Sequence, residues 1–254
     1  MNATFEIRSR SRANDISLIA LSDLSAAANS AGLRHRVIGG QMVDLLLHHT
    51  GTHGQVIDRV TADADVGVAQ TAITAEQLQA FVDALADRDY DQVAGDRFQR
   101  THDRAIIDVL AAAVRTRRTT ARLGPIVATE AGGLTFALGQ PALKVTVLAQ
   151  LTDGSALDPF EVQLPQLRAA VAIKAHAWAD RRHRNDAIDI ARLLHAAEAA
   201  QLGPDDFAGS VSLRDAVTHL RRGFRTAASD GVRLVYDDPR LRAELAAMCV
   251  AVVG

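Results

Sequence analysis

Two aspartates, Asp63 and Asp65, interrupt an otherwise apolar alternating stretch, and no other feature limits the fold of this chain as tightly. From Arg59 the sequence reads R-V-T-A-D-A-D-V-G-V. Strand periodicity turns Val60, Ala62, Ala64, Val66 and Val68 to one face, and Thr61, Asp63 and Asp65 to the other. A strand over 59–68 would therefore carry two carboxylates on one face. Like charges this close repel unless something neutralises them. A hard divalent cation such as Mg²⁺ is the partner that carboxylate oxygen favours. A solvated strand face is the plainer reading of the same D-x-D.

The surroundings add to the pattern. His35 to Ile38 is predicted as a short strand that runs into Gly39-Gly40, followed by a helix over 41–49. A glycine pair lets backbone N–H groups approach phosphate oxygens, with the helix dipole assisting; it is also an ordinary turn. Further on, R-A-I-I-D-V-L at 104–110 predicts a strand in which Asp108 stands where an apolar residue is expected. Three carboxylates on neighbouring strands, converging within about 4–7 Å, could hold one or two Mg²⁺ ions and clamp a triphosphate for in-line displacement at phosphorus. Taken alone, Asp108 is equally a strand-end charge.

The remaining patterns set the fold class. A first helix is predicted from a cap at Asn14 or Asp15 to Asn29, with Gly32 as its stop. T-A-E-Q at 74–77 is a capping box opening a helix to Ala86. Short strands are predicted at 90–93 and 97–101. Segments 126–129 and 134–138, joined through Gly132-Gly133, suggest a hairpin, and 143–148 a further strand. After Pro165 the periodicity is helical, over 167–179, from Asn185 to Ala200, and near 212–222 and 239–252. The expectation is an α/β (α+β) chain, with a mixed-sheet domain over 1–160 and a helical domain over 161–254.

Composition narrows the function classes. A net charge of −2 gives no global attraction to nucleic acid, so any RNA contact needs a local patch. The arginines at 115, 117, 118 and 122 are the first place to look, although such a run is usually a solvated face. The single cysteine, Cys249, excludes an internal disulfide. The apolar stretch after Arg12 is cut by Asp15 and Asp23, which reads as a helix and not as a signal peptide. No apolar segment is long enough to span a bilayer. A cytoplasmic location with no membrane partner is expected. His48, His49 and His53 fit no compact zinc spacing and read as a solvated loop. Trp178 reads as core. The only lysines are Lys144 and Lys174.

Together, I-G-G at 38–40, the D-x-D strand, the later Asp108, and K-A-H-A-W-A-D-R-R-H-R-N-D-A-I-D-I at 174–190 resemble a known family. They are similar to the AbiEii-type nucleotidyltransferase toxins, within the DNA polymerase β-like nucleotidyltransferase superfamily. The similarity covers roughly residues 35 to 195, in the family's order. It implies a nucleotidyltransferase domain followed by a helical domain, with the site in the cleft between them. The implied reaction is Mg²⁺-dependent transfer of NMP from an NTP to an acceptor hydroxyl, on tRNA or other RNA, by a toxin with a cognate antitoxin. The resemblance puts Asp63, Asp65 and Asp108 on metal, with Asp108 alternatively the general base. Gly39, Gly40 and Thr61 would meet the nucleotide. Lys174 would contact phosphate, with Arg181, Asp186 and Asp189 on the same side. Lys174 is expected to be exposed, so that its loss leaves folding unchanged. Gln41 departs from the small or hydroxyl residue common in the family, and the gap from Gly40 to Asp63 is long. Two other functions fit the same residues, a small-molecule (antibiotic) nucleotidyltransferase and a catalytically silent binding module of this fold.

Overall fold

A computed structural model describes residues 3–113 and 119–254. In chain order the elements are β1 (Ala3–Arg8), α1 (Arg12–Ser30), β2 (His35–Ile38), α2 (Gly39–Thr50), β3 (Asp63–Val68), α3 (Ala75–Ala86), β4 (Tyr90–Gln92), β5 (Arg97–Arg100), β6 (Ile106–Ala112), β7 (Thr120–Leu123), β8 (Ile126–Ala131), α4 (Leu134–Gly139), β9 (Leu143–Gln150) and β10 (Phe160–Leu164). Helices α5 (Leu167–Arg181), α6 (Arg184–Ala199), α7 (Val211–Phe224), α8 (Asp230–Val235) and α9 (Pro239–Val253) complete the chain. The fold is α+β with mixed sheets. Among the described residues, no helix is long and apolar enough to cross a membrane.

Two compact units emerge. One comprises the described residues of Met1–Met42, Val60–Glu130 and Leu138–Pro165; the other comprises Val43–Arg59, Ala131–Ala137 and Gln166–Gly254. The helical unit thus includes two segments from the first 160 residues.

The first unit holds both sheets. One has the order β1-β9-β10, with β1 parallel and β10 antiparallel to β9. The other runs β2-β3-β6-β5-β4, with β8 also pairing β6 and β7 pairing β8. Only β3 and β6 run parallel on that path. Helix α1 packs on β3, β6 and β10. Its fully buried Leu18, Leu21 and Leu24 supply apolar surface, as do Val66, Ile107 and Val109 on the strands.

Several local expectations are corrected. Strand β3 begins at Asp63, and Val60 is 59% exposed outside it; the alternation before Asp63 has no strand partner to pair with. Ser11, not Asn14 or Asp15, caps α1, its hydroxyl accepting from the Asn14 N–H. Helix α2 starts at Gly39 itself. His183, not Asn185, caps α6. Residues 134–139 form a helix and not a strand. L-T-F-A-L is too short for periodicity to choose between the two, and the turn at Gly133 (φ +79°) lets the Ala137 N–H close on the Gly133 carbonyl. The hairpin instead joins β7 and β8 across Gly124-Pro125. Strands β1 and β10 and helix α8 went unpredicted. Arg115, Arg117 and Arg118 lie outside the described residues, while Arg122 is exposed on β7.

In the helical unit α5 packs on α6 and α7, and α9 on α6 and α7. Trp178 is core as expected, edge-on to Phe224 with ring centroids 5.4 Å apart.

His35, at the start of β2, makes the first unit acid-sensitive. It is fully buried, with Nδ1 2.9 Å from the Leu33 carbonyl oxygen. Nδ1 therefore carries the proton, and Nε2 has no partner among the described residues. Burial holds the ring below its usual value of 6.5, and the Arg36 charge adds to this against the Leu33 hydrogen bond. The unfolded chain takes up a proton near pH 6.5 and the folded chain does not. Stability is therefore lost as pH falls below about 6.5. Urea midpoints should decline between about pH 6.5 and 5, and the decline should be shallower in His35→Asn.

Candidate active site

The parallel register of β3 and β6 places Asp65 beside Asp108 and Asp63 beside Ile106. Residues paired this way face the same side of the sheet, and Asp63 is two positions before Asp65, so all three carboxylates share one face. Each is half-buried, and one ligand oxygen from each lies within 4.8 Å of the others. Among the described residues, this is the only group of three or more acidic, histidine or cysteine side chains close enough to hold a metal ion. His48 and His53 instead stack on each other, with centroids 3.8 Å apart.

Gly39 adjoins the cluster through Asp65. Ile38 pairs with Asp65 across β2 and β3, and the next residue turns into α2 at φ +72°. A Cβ on Gly39 would come within 1.8 Å of Asp65 Oδ2. Glycine is thus required twice, by the backbone angle and by the carboxylate lying against it. A negative charge at the first residue of a helix is also favoured by the helix dipole. Gln41 is buried and donates to the Ser17 hydroxyl, so its side chain is committed to α1. Thr61 is buried as well, and its hydroxyl has no hydrogen-bond partner among the described residues.

Arg97 is the residue that sequence reasoning missed. It pairs directly with Asp108 across the antiparallel β5–β6 ladder. Its Nε and Nη2 donate to Asp108 Oδ1 and Oδ2 at 2.8 and 2.7 Å. These hydrogen bonds and the Asp108 charge, with Asp63 contributing further, raise the guanidinium above its already high range. Alternation in R-F-Q-R marks Arg97 as a face residue, but nothing in the sequence states the register that brings it to Asp108.

The donor set fits a hard cation, being all carboxylate oxygen. Two oxygens on one Mg²⁺ lie at most about 4.2 Å apart, twice the ~2.1 Å bond. Oxygens within 4.8 Å of one another therefore need only small rotations, or two ions, to be shared. A carboxylate has about four lone-pair positions, so Asp108 can accept from Arg97 and still offer a ligand.

The other predicted residues assemble inside the helical unit. Lys174 Nζ lies 2.6 Å from Asp189 Oδ2 and 3.9 Å from Asp186 Oδ1. Arg59 Nη1 donates to both oxygens of Asp189 at 2.8 Å. Arg181 forks onto Asp186 at 3.0 and 2.7 Å. Lys174 and Arg181, seven residues apart, thus serve chiefly Asp189 and Asp186 respectively, and Arg182 pairs with Asp230. Lys174 is only 6% exposed, which corrects the expectation of an exposed lysine whose loss leaves folding unchanged. The two groups of predicted residues belong to different units.

No protein-family model matches the chain, and no curated protein matches it.

Lys174→Ala should destabilise the protein by about 3 kcal/mol, because it leaves a buried carboxylate short of a partner. Lys144, exposed and paired with Glu161 at 3.0 Å, should cost less than about 1 kcal/mol on the same change; denaturant titrations compare the two. Gly39→Ala should cost at least about 1–3 kcal/mol from backbone strain alone and displace the Asp65 carboxylate, as a structure of the variant would show.

Proposed function

We propose that this chain is a Mg²⁺-dependent nucleotidyltransferase of the AbiEii kind, acting in the cytoplasm. It would move an NMP from an NTP to an acceptor hydroxyl, with RNA, and tRNA foremost, as the acceptor. In this reading it is the toxin of a toxin–antitoxin pair. The observation that carries the proposal is the in-register pair Asp65–Asp108, with Asp63 on the same face and Gly39 against it.

When bound, Mg²⁺ supplies Lewis-acid stabilisation of charge on the phosphoryl oxygens. Asp63, Asp65 and Asp108 hold the ion. Asp108 shares the face of Asp63 and Asp65 with its oxygen close to theirs, so it serves as a ligand. Phosphate is met by backbone N–H groups at Gly39-Gly40, since the Gln41 side chain is tied to Ser17. Lys174, Asp186 and Asp189 hold the helical unit together.

One observation favours a second reading, a silent binding module. The Arg97 fork satisfies both Asp108 oxygens from within the chain.

The test incubates the protein with each labelled NTP, Mg²⁺ and total RNA, and resolves the products on a gel. One NTP should label an RNA band in a Mg²⁺-dependent way. Asp63→Asn and Asp65→Asn should abolish the label while leaving thermal stability unchanged or raised, because repulsion is relieved. If the wild type binds no NTP with Mg²⁺ by calorimetry, the silent module is the better account. Label appearing only in small molecules would select the small-molecule transferase.

A further inference from the structure

A polar cavity lies wholly within the helical unit. It has a volume of about 150 Å³ and is lined by Trp178, Arg182, His219, Arg222, Gly223 and Asp230. Trp178 closes α5, His219 to Gly223 belong to α7, and Asp230 opens α8. Nothing in the proposed transfer reaction uses these residues.

The donors in this cavity are underused. Trp178 is only 3% exposed, yet its indole N–H donates to no protein acceptor among the described residues. A Cβ at position 223 would come within 2.5 Å of Nε1, so glycine there keeps the indole edge uncovered. An indole N–H that opens onto the cavity is a donor that a ligand acceptor can reach. Arg222 makes no hydrogen bond or ion pair within the chain among the described residues. Arg182 has a single 3.4 Å contact to Asp230, with both side chains largely exposed. An exposed pair of this kind is weak and yields readily to a competing anion.

Charge selects the ligand. Two arginines and one aspartate leave one net positive charge. His219 adds none at neutral pH, because burial first, and His176 and Arg222 in addition, lower its proton affinity. Guanidinium forks match the planar oxygens of carboxylate and phosphate. At about 30 Å³ per water, the volume admits a compact molecule of roughly five to ten non-hydrogen atoms.

We infer that this pocket binds a small oxyanion, a carboxylate or phosphate group seated between Arg182, Arg222 and the Trp178 indole N–H. The inference stands on the helical unit alone and does not depend on the proposed transfer activity.

Trp178 is the only tryptophan, so the site reports itself. The intact protein is titrated with inorganic phosphate, phosphoglycolate and glycolate at constant ionic strength, with chloride as the control. Emission and the single indole N–H resonance are followed. A saturable shift is expected, with phosphate-only or glycolate-only responses identifying the preferred group. Arg222→Gln, at an exposed position, should weaken binding about tenfold, the scale of one charged hydrogen bond. Arg240→Gln on α9 should leave binding unchanged. The inference is overturned by no shift with any probe, by an equal shift in chloride, or by unaltered binding in Arg222→Gln.

Discussion

Strands β3 and β6 run parallel and in register, and that register forces Asp65 against Asp108 with Asp63 on the same face. Two carboxylates with oxygens up to 4.8 Å apart repel by on the order of 3 kcal/mol at an effective dielectric of about 20. A fold that keeps them together must supply positive charge. Two sources are built in. Arg97 comes from β5, the other neighbour of β6, and the first residue of α2 comes from the strand on the other side of β3. Strand order is therefore more than a frame. β2, β3, β6 and β5 bring, in sequence across the sheet, a helix start, two carboxylates, a third carboxylate and a cation.

The two clusters of charge differ in kind. The Asp63–Asp65–Asp108 face is half-exposed and, with Arg97, carries three negative charges against one positive. The helical unit's cluster sets Lys174, Arg59 and Arg181 against Asp186 and Asp189, with Asp189 fully buried. Buried charges survive only when paired and hydrogen-bonded, and this cluster meets that condition with short contacts on each carboxylate. An acid-rich face open to solvent has room for a further cation. A buried, cation-rich one is suited to fixing helices. This contrast is why the three aspartates carry the functional reading and Lys174 does not.

The sequence disclosed the parts that depend on local period and failed where a partner lay far along the chain. The shared face of Asp63 and Asp65, the strand around Asp108 and the Thr74–Gln77 capping box were legible because each is set by neighbours a few residues away. Arg97 was not, since its role comes from an antiparallel register. Lys174 was misjudged because exposure is a tertiary property; a lysine on a helix reads as solvated until Asp189 and Arg59 are brought beside it. Strand β1 was missed although A-T-F-E-I-R alternates, because its partner β9 lies in the far half of the chain. L-T-F-A-L failed for the opposite reason, being too short to display any period.

Arg97 is the pivot between an active and a silent site, and its surroundings set how it behaves. Its side chain is 46% exposed, and its fork is anchored on Asp108. A guanidinium in that position does for Asp108 what a divalent ion would do, at one charge instead of two. With an ion on the three carboxylates, the two cations share Asp108 and repel. The less buried and more flexible partner is the one that yields, and that is the arginine, which has solvent beside it. Its release is offset in part by water, which reaches the half-exposed guanidinium. Arg97 is thus compatible with a metal ion on the three carboxylates.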